Sequence, residues 1–226
     1  MDASVLVAGR LRCIFVSMTE LFSVEAGPVA TLGYMIVDPS TSTSAVIDVP
    51  YGAARTFLDE ARQRGCRITH ILLTHTHWDH TADVSVLVEA TGARVVVHAA
   101  DTYRLTDPMA HTVWPLPFVI GAVTPDDFVD QGDAIDVAGC HLRILHTPGH
   151  TEGGICFVDD EAGRAFVGDT LFRESVGRTD LPGGDMDTLI ASIHDRLMPL
   201  PDAMTVFPGH GPSTSIGHER LMNPFL

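Results

Sequence analysis

The chain contains no lysine. All 14 of its basic residues are arginine, set against 29 carboxylates, for a net charge of −15 over 226 residues. Without lysine there is no side-chain amine for a Schiff base and no lysine for a phosphate-binding loop. So large a surplus of negative charge also removes the electrostatic footprint of a nucleic-acid binder. Cysteine is scarce as well: Cys13, Cys66, Cys140 and Cys156 are widely spaced, with no C-x-x-C pair. They read as reduced, mostly buried thiols and not as a disulfide framework, with Cys13 and Cys66 as candidates for the surface. The N-terminal stretch carries Arg10 and Arg12 and has no compact apolar segment followed by a small-residue cleavage site. No apolar run is long enough to span a bilayer. The expectation is a cytoplasmic protein with neither a nucleic-acid nor a membrane partner.

Apolar residues make up 45% of the chain, ample for one core, and no repeat, low-complexity tract or linker interrupts it. Residues 1–226 read as a single domain. Stretches 11–18, 31–37 and 45–49 have strand composition, and Asp48 closes the third. Ala54, Phe57, Leu58 and Ala61 share one face of a helix that Gly65 is placed to end; a second, with Val84, Leu87 and Val88, closes at Gly92. Strands follow at 68–73, 94–97, 134–137, 141–145, 154–158, 165–167 and 204–207. Met186, Leu189, Ile190, Ile193 and Leu197 form an amphipathic helix with Asp185 as N-cap and Pro199 as stop. Between them, 101–127 holds Pro108, Pro115, Pro117 and Pro125 with Tyr103, Met109, Trp114 and Phe118, and is either a surface excursion or, as we prefer, a lid over a pocket. Strands and helices in two successive blocks fit an α+β arrangement of two packed sheets with helices outside.

The densest chemistry follows the strand at 68–73. Thr74-His75-Thr76-His77-Trp78-Asp79-His80 puts three imidazoles and a carboxylate within six residues. A loop leaving a strand can aim residues i and i+2 one way while i+4 and i+5 swing round, offering nitrogens to one metal and an oxygen plus a nitrogen to another. Imidazole and carboxylate suit zinc, iron and manganese. Three later strands end the same way, each with a glycine before a ligand type: Gly149-His150, Gly168-Asp169 and Gly209-His210. Glycine lets the backbone turn sharply and approach a metal closely. Together with His75, His77, Asp79 and His80 the count is seven, too many for one tetrahedral ion and right for two ions sharing a carboxylate.

This order, H-x-H-x-D-H, then His, Asp and His, resembles the metallo-β-lactamase superfamily over nearly the whole chain. The resemblance implies a four-layer αββα sandwich with the site at the sheet edges. It also implies His75, His77 and His150 on metal one, Asp79, His80 and His210 on metal two, and Asp169 between them. Histidine at position 77 separates the chain from flavodiiron redox proteins, which carry glutamate there. The nearer likeness is to glyoxalase-II-like (hydroxyacylglutathione hydrolase-like) enzymes. It rests on Trp78 in the first loop, on Gly168-Asp169-Thr170-Leu171-Phe172, on Gly177-Arg178-Thr179-Asp180-Leu181-Pro182-Gly183-Gly184-Asp185, and on the ending Gly217-His218-Glu219-Arg220 … Asn223-Pro224-Phe225, as in single-domain bacterial members. Two-domain glyoxalase II enzymes also hold glutathione with a C-terminal helical domain, and this chain stops about where that domain would begin.

The activity implied is hydrolysis of a glutathione thioester of the S-lactoylglutathione type, with two divalent ions (zinc first, iron or manganese as alternatives) acidifying a bridging water. Asp79 is the candidate catalytic residue that would orient the nucleophile, and thiolate leaves without a dedicated acid. Arg173 and Arg178 are candidates to meet a substrate carboxylate; Arg178 is equally well placed to pair with Asp180 or Asp185. Trp78 is expected to pack behind its loop, and Asp48 either to support a ligand histidine or to cap a turn. The other histidines, His146 included, are expected to be structural or exposed. The rival class is a persulfide dioxygenase holding one iron through His75, His150 and Asp169. Lactonase, β-lactamase, nuclease and non-enzymatic readings rank below both. The oligomeric state is left open, a homo-oligomer included.

Overall fold

The computed structural model describes residues 19–226; the strand expected at 11–18 and Cys13 lie outside them. The first described strand, β1 (Glu20–Ala26), is one the residue pattern does not announce. It sits at a sheet edge, its residues half-buried or exposed, so no buried apolar run marks it. It begins a six-stranded sheet that continues in chain order through β2 (Thr31–Asp38), β3 (Thr43–Ile47), β4 (Arg67–Leu72), β5 (Arg94–Val97) and β6 (Asp127–Phe128). The pairing is antiparallel from β1 to β3 and parallel from β3 to β6.

A second six-stranded sheet holds β7 (Ala134–Val137), β8 (Cys140–His146), β9 (Ile155–Asp159) and β10 (Arg164–Gly168). A small hairpin of β11 (Leu171–Phe172) and β12 (Ser175–Val176) follows, and then β13 (Thr205–Pro208) and β14 (Thr214–Ser215) complete the second sheet. The order is β14-β13-β10-β9-β8-β7, with β10 and β13 parallel.

Period-two alternation builds the layers. In β2, Tyr34 and Ile36 point into the space between the sheets, where they meet Leu142, Ile144, Phe157 and Phe166. Met35 and Val37 point the other way, towards Phe57 and Leu87 of the helices α1 (Ala53–Arg64) and α3 (Val84–Thr91). The outer face of the second sheet buries Val158, Val167 and Val206 against Leu189, Ile193 and Leu197. Both faces of the central strands are therefore dry, which is why they read as continuous apolar runs. Each fully buried side chain of this size contributes roughly 1.5–3 kcal/mol. The result is the expected αββα sandwich.

Helix ends follow the residue signals. α1 stops at Gly65 and α3 at Gly92, both left-handed caps. Asp185 caps α6 (Met186–Ser192) by accepting the Thr188 N–H at 2.8 Å. Beyond Ser192 the helix widens into a π turn, Ile193–Leu197, in which Met198 N–H reaches the Ile193 carbonyl. Between β5 and β6 the proline-rich segment folds into two short helices, α4 (Thr102–Thr106) and α5 (Pro108–His111), before running on irregularly. Among the described residues no helix is long and apolar enough to cross a membrane.

Candidate metal centre

Parallel strands present their C-terminal ends at a common edge, and there the loops carry the polar residues. Asp48 follows β3, His75 and His77 follow β4, and a short helix, α2 (Trp78–Thr81), carries Asp79 and His80. His150 lies in the turn between β8 and β9, Asp169 follows β10, and His210 follows β13. The two sheets are stitched together here: the Ile155 N–H donates to the Thr74 carbonyl (2.8 Å), Leu32 N–H to the Gly209 carbonyl (2.7 Å), and Tyr34 Oη–H to the Pro208 carbonyl (2.7 Å). Two glycines are required by contact. A Cβ at Gly209 would collide with Asp169 Oδ1 and the His80 ring, and one at Gly168, where φ is +49°, would strike the Thr74 hydroxyl.

All seven predicted side chains converge. His150 Nε2 lies 3.2 Å from His75 Nε2 and 2.8 Å from His77 Nδ1. On the other side, Asp79 Oδ2 is 3.6 Å from His80 Nε2 and 3.2 Å from His210 Nε2. Asp169 stands between the groups: its Oδ1 is 3.2 Å from His80 Nε2, and its Oδ2 is 3.6 Å from His150 Nε2 and 3.5 Å from His210 Nε2. Within each of the trios His75–His77–His150, His75–His80–Asp169 and Asp79–His80–His210, one ligand atom per residue lies within 4.8 Å of the others.

The donor set fits metal ions. His150 Nδ1–H donates to the Arg178 carbonyl (2.7 Å), and His80 Nδ1–H to Asp48 Oδ2 (2.8 Å). Thr74 Oγ1–H is committed to the same Asp48 oxygen (2.7 Å), which leaves the hydroxyl oxygen to accept His75 Nδ1–H (3.1 Å). Each of these bonds fixes a tautomer whose Nε2 lone pair points inward. Two such lone pairs, on His75 and His150, face each other with no proton between them. His80 Nε2 and Asp169 Oδ1 are buried without a hydrogen-bond partner, although they face one another. Buried polar atoms left this way are costly unless a cation satisfies them.

Proton affinities follow. Burial and the neighbouring imidazoles hold His75 well below its ordinary value, and burial with His150 pushes His77 down to about 3. Burial opposes charge on His80 too, but with no cation present the carboxylates of Asp169, Asp79 and Asp48 outweigh it and hold that imidazole well above the usual range, so an ion binding Nε2 would take the place of a proton there. For Asp79, burial is outweighed by His80 and His210, keeping the carboxyl ionised. Thr31 adds a 2.8 Å hydrogen bond to Asp79 Oδ2.

Two carboxylates outside the motif support it: Asp48, in the first of its two expected roles, and Asp101, which the sequence does not mark. Asp48 turns out to link both halves of the cluster, through His80 directly and His75 by way of Thr74. Asp101, fully buried, accepts from Thr76 N (3.0 Å), Thr151 Oγ1 (2.9 Å), Gly153 N (2.7 Å) and Arg104 (3.2 Å). It ties the His75–His77 loop, the His150 turn and α4 together. Nothing local marks its linking role, since its partners other than Arg104 are 25 and about 50 residues away.

Other expectations meet different outcomes. Trp78 does not pack behind its loop; it forms a wall shared by two cavities of about 150 Å³ each, one over the cluster and one beside His77. Trp114 and Leu181 are in the same wall, and α4, α5 and the chain after them line the outer cavity. Arg178 borders the inner cavity with its guanidinium paired to both oxygens of Asp180 (2.6 and 2.7 Å) and 5.4 Å from the Trp114 ring. Arg173 borders neither; it is half exposed with Glu174 as its nearest carboxylate. His146 donates to the Glu152 carbonyl and stacks on His98, away from the cluster. Cys140 and Cys156 are buried, and Cys66 is partly exposed.

Two facing sheets between helices, with imidazoles and carboxylates gathered at the ends of parallel strands, define the class: a metal-dependent hydrolase of the αββα-sandwich kind. A family model described as Metallo-beta-lactamase superfamily matches residues 29–210, and the chain belongs to that superfamily. Hydroxyacylglutathione hydrolase GloC of Haemophilus influenzae is 37% identical over 186 residues, covering 81% of this chain and 87% of its own. Among solved structures, the BLEG-1 B3 metallo-β-lactamase superposes with a TM-score of 0.84 at 32% identity, over 92% of this chain and 99% of its own. TTHA1623 in a di-iron-bound form gives 0.80 at 36% identity, over 91% and 100%. ETHE1 from Myxococcus xanthus gives 0.77 at 29% identity, over 91% and 83%.

Proposed function

We propose that the chain, as one domain, is a dinuclear metal-dependent thioester hydrolase acting on glutathione thioesters of the S-lactoylglutathione type. The observation that carries the metal part is the set of inward lone pairs, two of them on buried atoms without partners. The thioester part rests on the similarity to GloC. In this reading His75, His77 and His150 hold one ion, Asp79, His80 and His210 the other, and Asp169 is shared. Zinc is the first expectation; the di-iron form of TTHA1623 keeps iron in view, and manganese suits the same ligands.

Bound ions would supply an acidified water as nucleophile and Lewis acidity for the substrate carbonyl. The remaining work falls to the protein. Asp79 borders the inner cavity and is held ionised, so it orients the attacking water by accepting its proton-bearing side and does not act as an acid. Trp78, Trp114 and Leu181 restrict water around the reacting carbon. The thiolate leaves unaided. A cytoplasmic location, where thiols such as Cys66 stay reduced, completes the proposal.

The similarity to ETHE1 favours a second reading, a persulfide dioxygenase with one iron on His75, His150 and Asp169. Metal analysis of the purified protein, paired with thiol release from S-lactoylglutathione and oxygen uptake with glutathione persulfide, separates the two. Close to two ions per chain with thiol release is expected. One iron per chain with oxygen uptake would overturn the hydrolase.

A further inference from the structure

We infer that the cavity beside His77 receives the acyl group of the substrate, and that this group is apolar and about the size of a phenyl ring or a six-carbon chain. The inference rests on the thioester reading and departs from it in the acyl group alone, ranking hexanoyl and phenylacetyl above lactoyl. Four residues, His77, Trp78, Trp114 and Leu181, line both this cavity and the one over the cluster, so a group bound at the cluster can extend from one into the other. The outer cavity measures about 150 Å³. An apolar cavity of that size in another protein accepts benzene.

Apart from the imidazoles of His77 and His111, its lining offers few free polar groups. Pro108, Ala110, Val113, Trp114, Leu181 and Pro182 present carbon. The hydroxyls that border it already donate inside the protein: Thr76 to the Asp101 carbonyl (2.8 Å), Thr112 to the Pro108 carbonyl (2.8 Å), and Tyr103 to Glu152 (3.2 Å). Arg104, buried at its side, divides its guanidinium among Asp101, Glu152 and the Pro182 carbonyl. Arg178, over the inner cavity, is spoken for by Asp180. Among the described residues, then, each guanidinium bordering these cavities is already paired with a carboxylate. A small hydroxylated acyl group finds few donors here, whereas a hydrocarbon finds two indoles and two prolines. Val113, one of the lining residues, is 52% exposed. An apolar guest would cover such a surface.

The test holds the thiol carrier constant and varies the acyl group. Acetyl-, lactoyl-, butanoyl-, hexanoyl- and phenylacetyl-glutathione are assayed with the metal-loaded protein. We expect kcat/KM to rise roughly fourfold per added methylene up to six carbons. Ala110→Phe, which fills the cavity from an exposed position, should cut the hexanoyl-to-acetyl ratio at least tenfold. A second readout does not depend on turnover. The chain has two tryptophans, Trp78 and Trp114, and both line the cavity, so indole fluorescence reports its occupancy. Hexanoate and phenylacetate, as reaction products, should perturb the emission at concentrations at least ten times lower than acetate or lactate, and A110F should abolish the difference.

Thioester hydrolysis with equal or lactoyl-favouring efficiencies, and no chain-length dependence of the fluorescence, overturns the inference while leaving the hydrolase reading intact. No hydrolysis of any thioester, with chain-length-dependent fluorescence that A110F removes, would sink the hydrolase reading and keep the apolar cavity as a binding site.

Discussion

In the dinuclear reading, replacing Asp48 by asparagine should release the ion proposed on Asp79, His80 and His210 while leaving the fold in place. Asp48 is 2% exposed and sits at φ +56°, a left-handed conformation that asparagine also tolerates, so the backbone need not move. Its Oδ1 accepts the Thr74 N–H (2.9 Å), and its Oδ2 accepts both Thr74 Oγ1–H and His80 Nδ1–H. An amide can satisfy one side only. With its oxygen on Thr74 N–H, its NH₂ faces His80 Nδ1 and forces that ring to carry its proton on Nε2, where an ion would bind. Turned over, the NH₂ meets the Thr74 N–H instead. Either way a buried hydrogen bond to a charged acceptor is lost, about 2 kcal/mol or roughly thirtyfold in affinity for the ion on Asp79, His80 and His210. The other ion should weaken less, because Asp48 reaches His75 only through the Thr74 hydroxyl. Metal retained per chain during dialysis against graded chelator gives the assay, with the melting temperature of the metal-free variant as a check on folding. A D48N protein that folds normally and keeps both ions within twofold of the parent affinities would refute the reasoning.

Three further outcomes follow from the same geometry. Asp101→Ala takes one of two carboxylate partners from buried Arg104 and unties three segments; a loss of roughly 3–5 kcal/mol is expected. In a chain of this length that lowers Tm by roughly 10 °C, measurable by circular dichroism, and an unchanged Tm would deny Asp101 its linking role. Gly209→Ala places a methyl against Asp169 Oδ1 and His80, so metal content should fall below one ion per chain although far-ultraviolet circular dichroism is retained. Removing metal with a chelator should lower Tm by an amount that returns on adding zinc, since ions held a thousandfold above their Kd stabilise by about 4 kcal/mol; a Tm indifferent to chelator would argue against the centre altogether.

The sequence by itself carried the family, the αββα architecture and the seven side chains that meet at the strand ends. The family and the architecture came through the resemblance that the ordered motif carries, and the ligands themselves are local features. A ligand that follows a strand is announced by the apolar run before it and the glycine beside it, as in Val167-Gly168-Asp169, and α1 and α3 end at Gly65 and Gly92 for reasons visible within one turn. What the tertiary structure alone decided is everything that depends on partners far along the chain. Asp48 and His80 are 32 residues apart, Asp101 and Gly153 52, and no periodicity connects them. The place of Trp78 on a cavity wall required Trp114 and Leu181 to arrive opposite it, and Arg178 could be assigned to Asp180 only once its rotamer was seen. The edge strand β1 escaped notice because its inward face is only half-buried: Phe22, Val24 and Ala26 pack on the core between exposed Ser23 and Glu25, a short alternation without the continuous apolar run of the central strands. Ligand chemistry is written in short motifs; the carboxylates that hold it in place and the walls that choose its substrate are set by which loops the two sheets bring to the same edge.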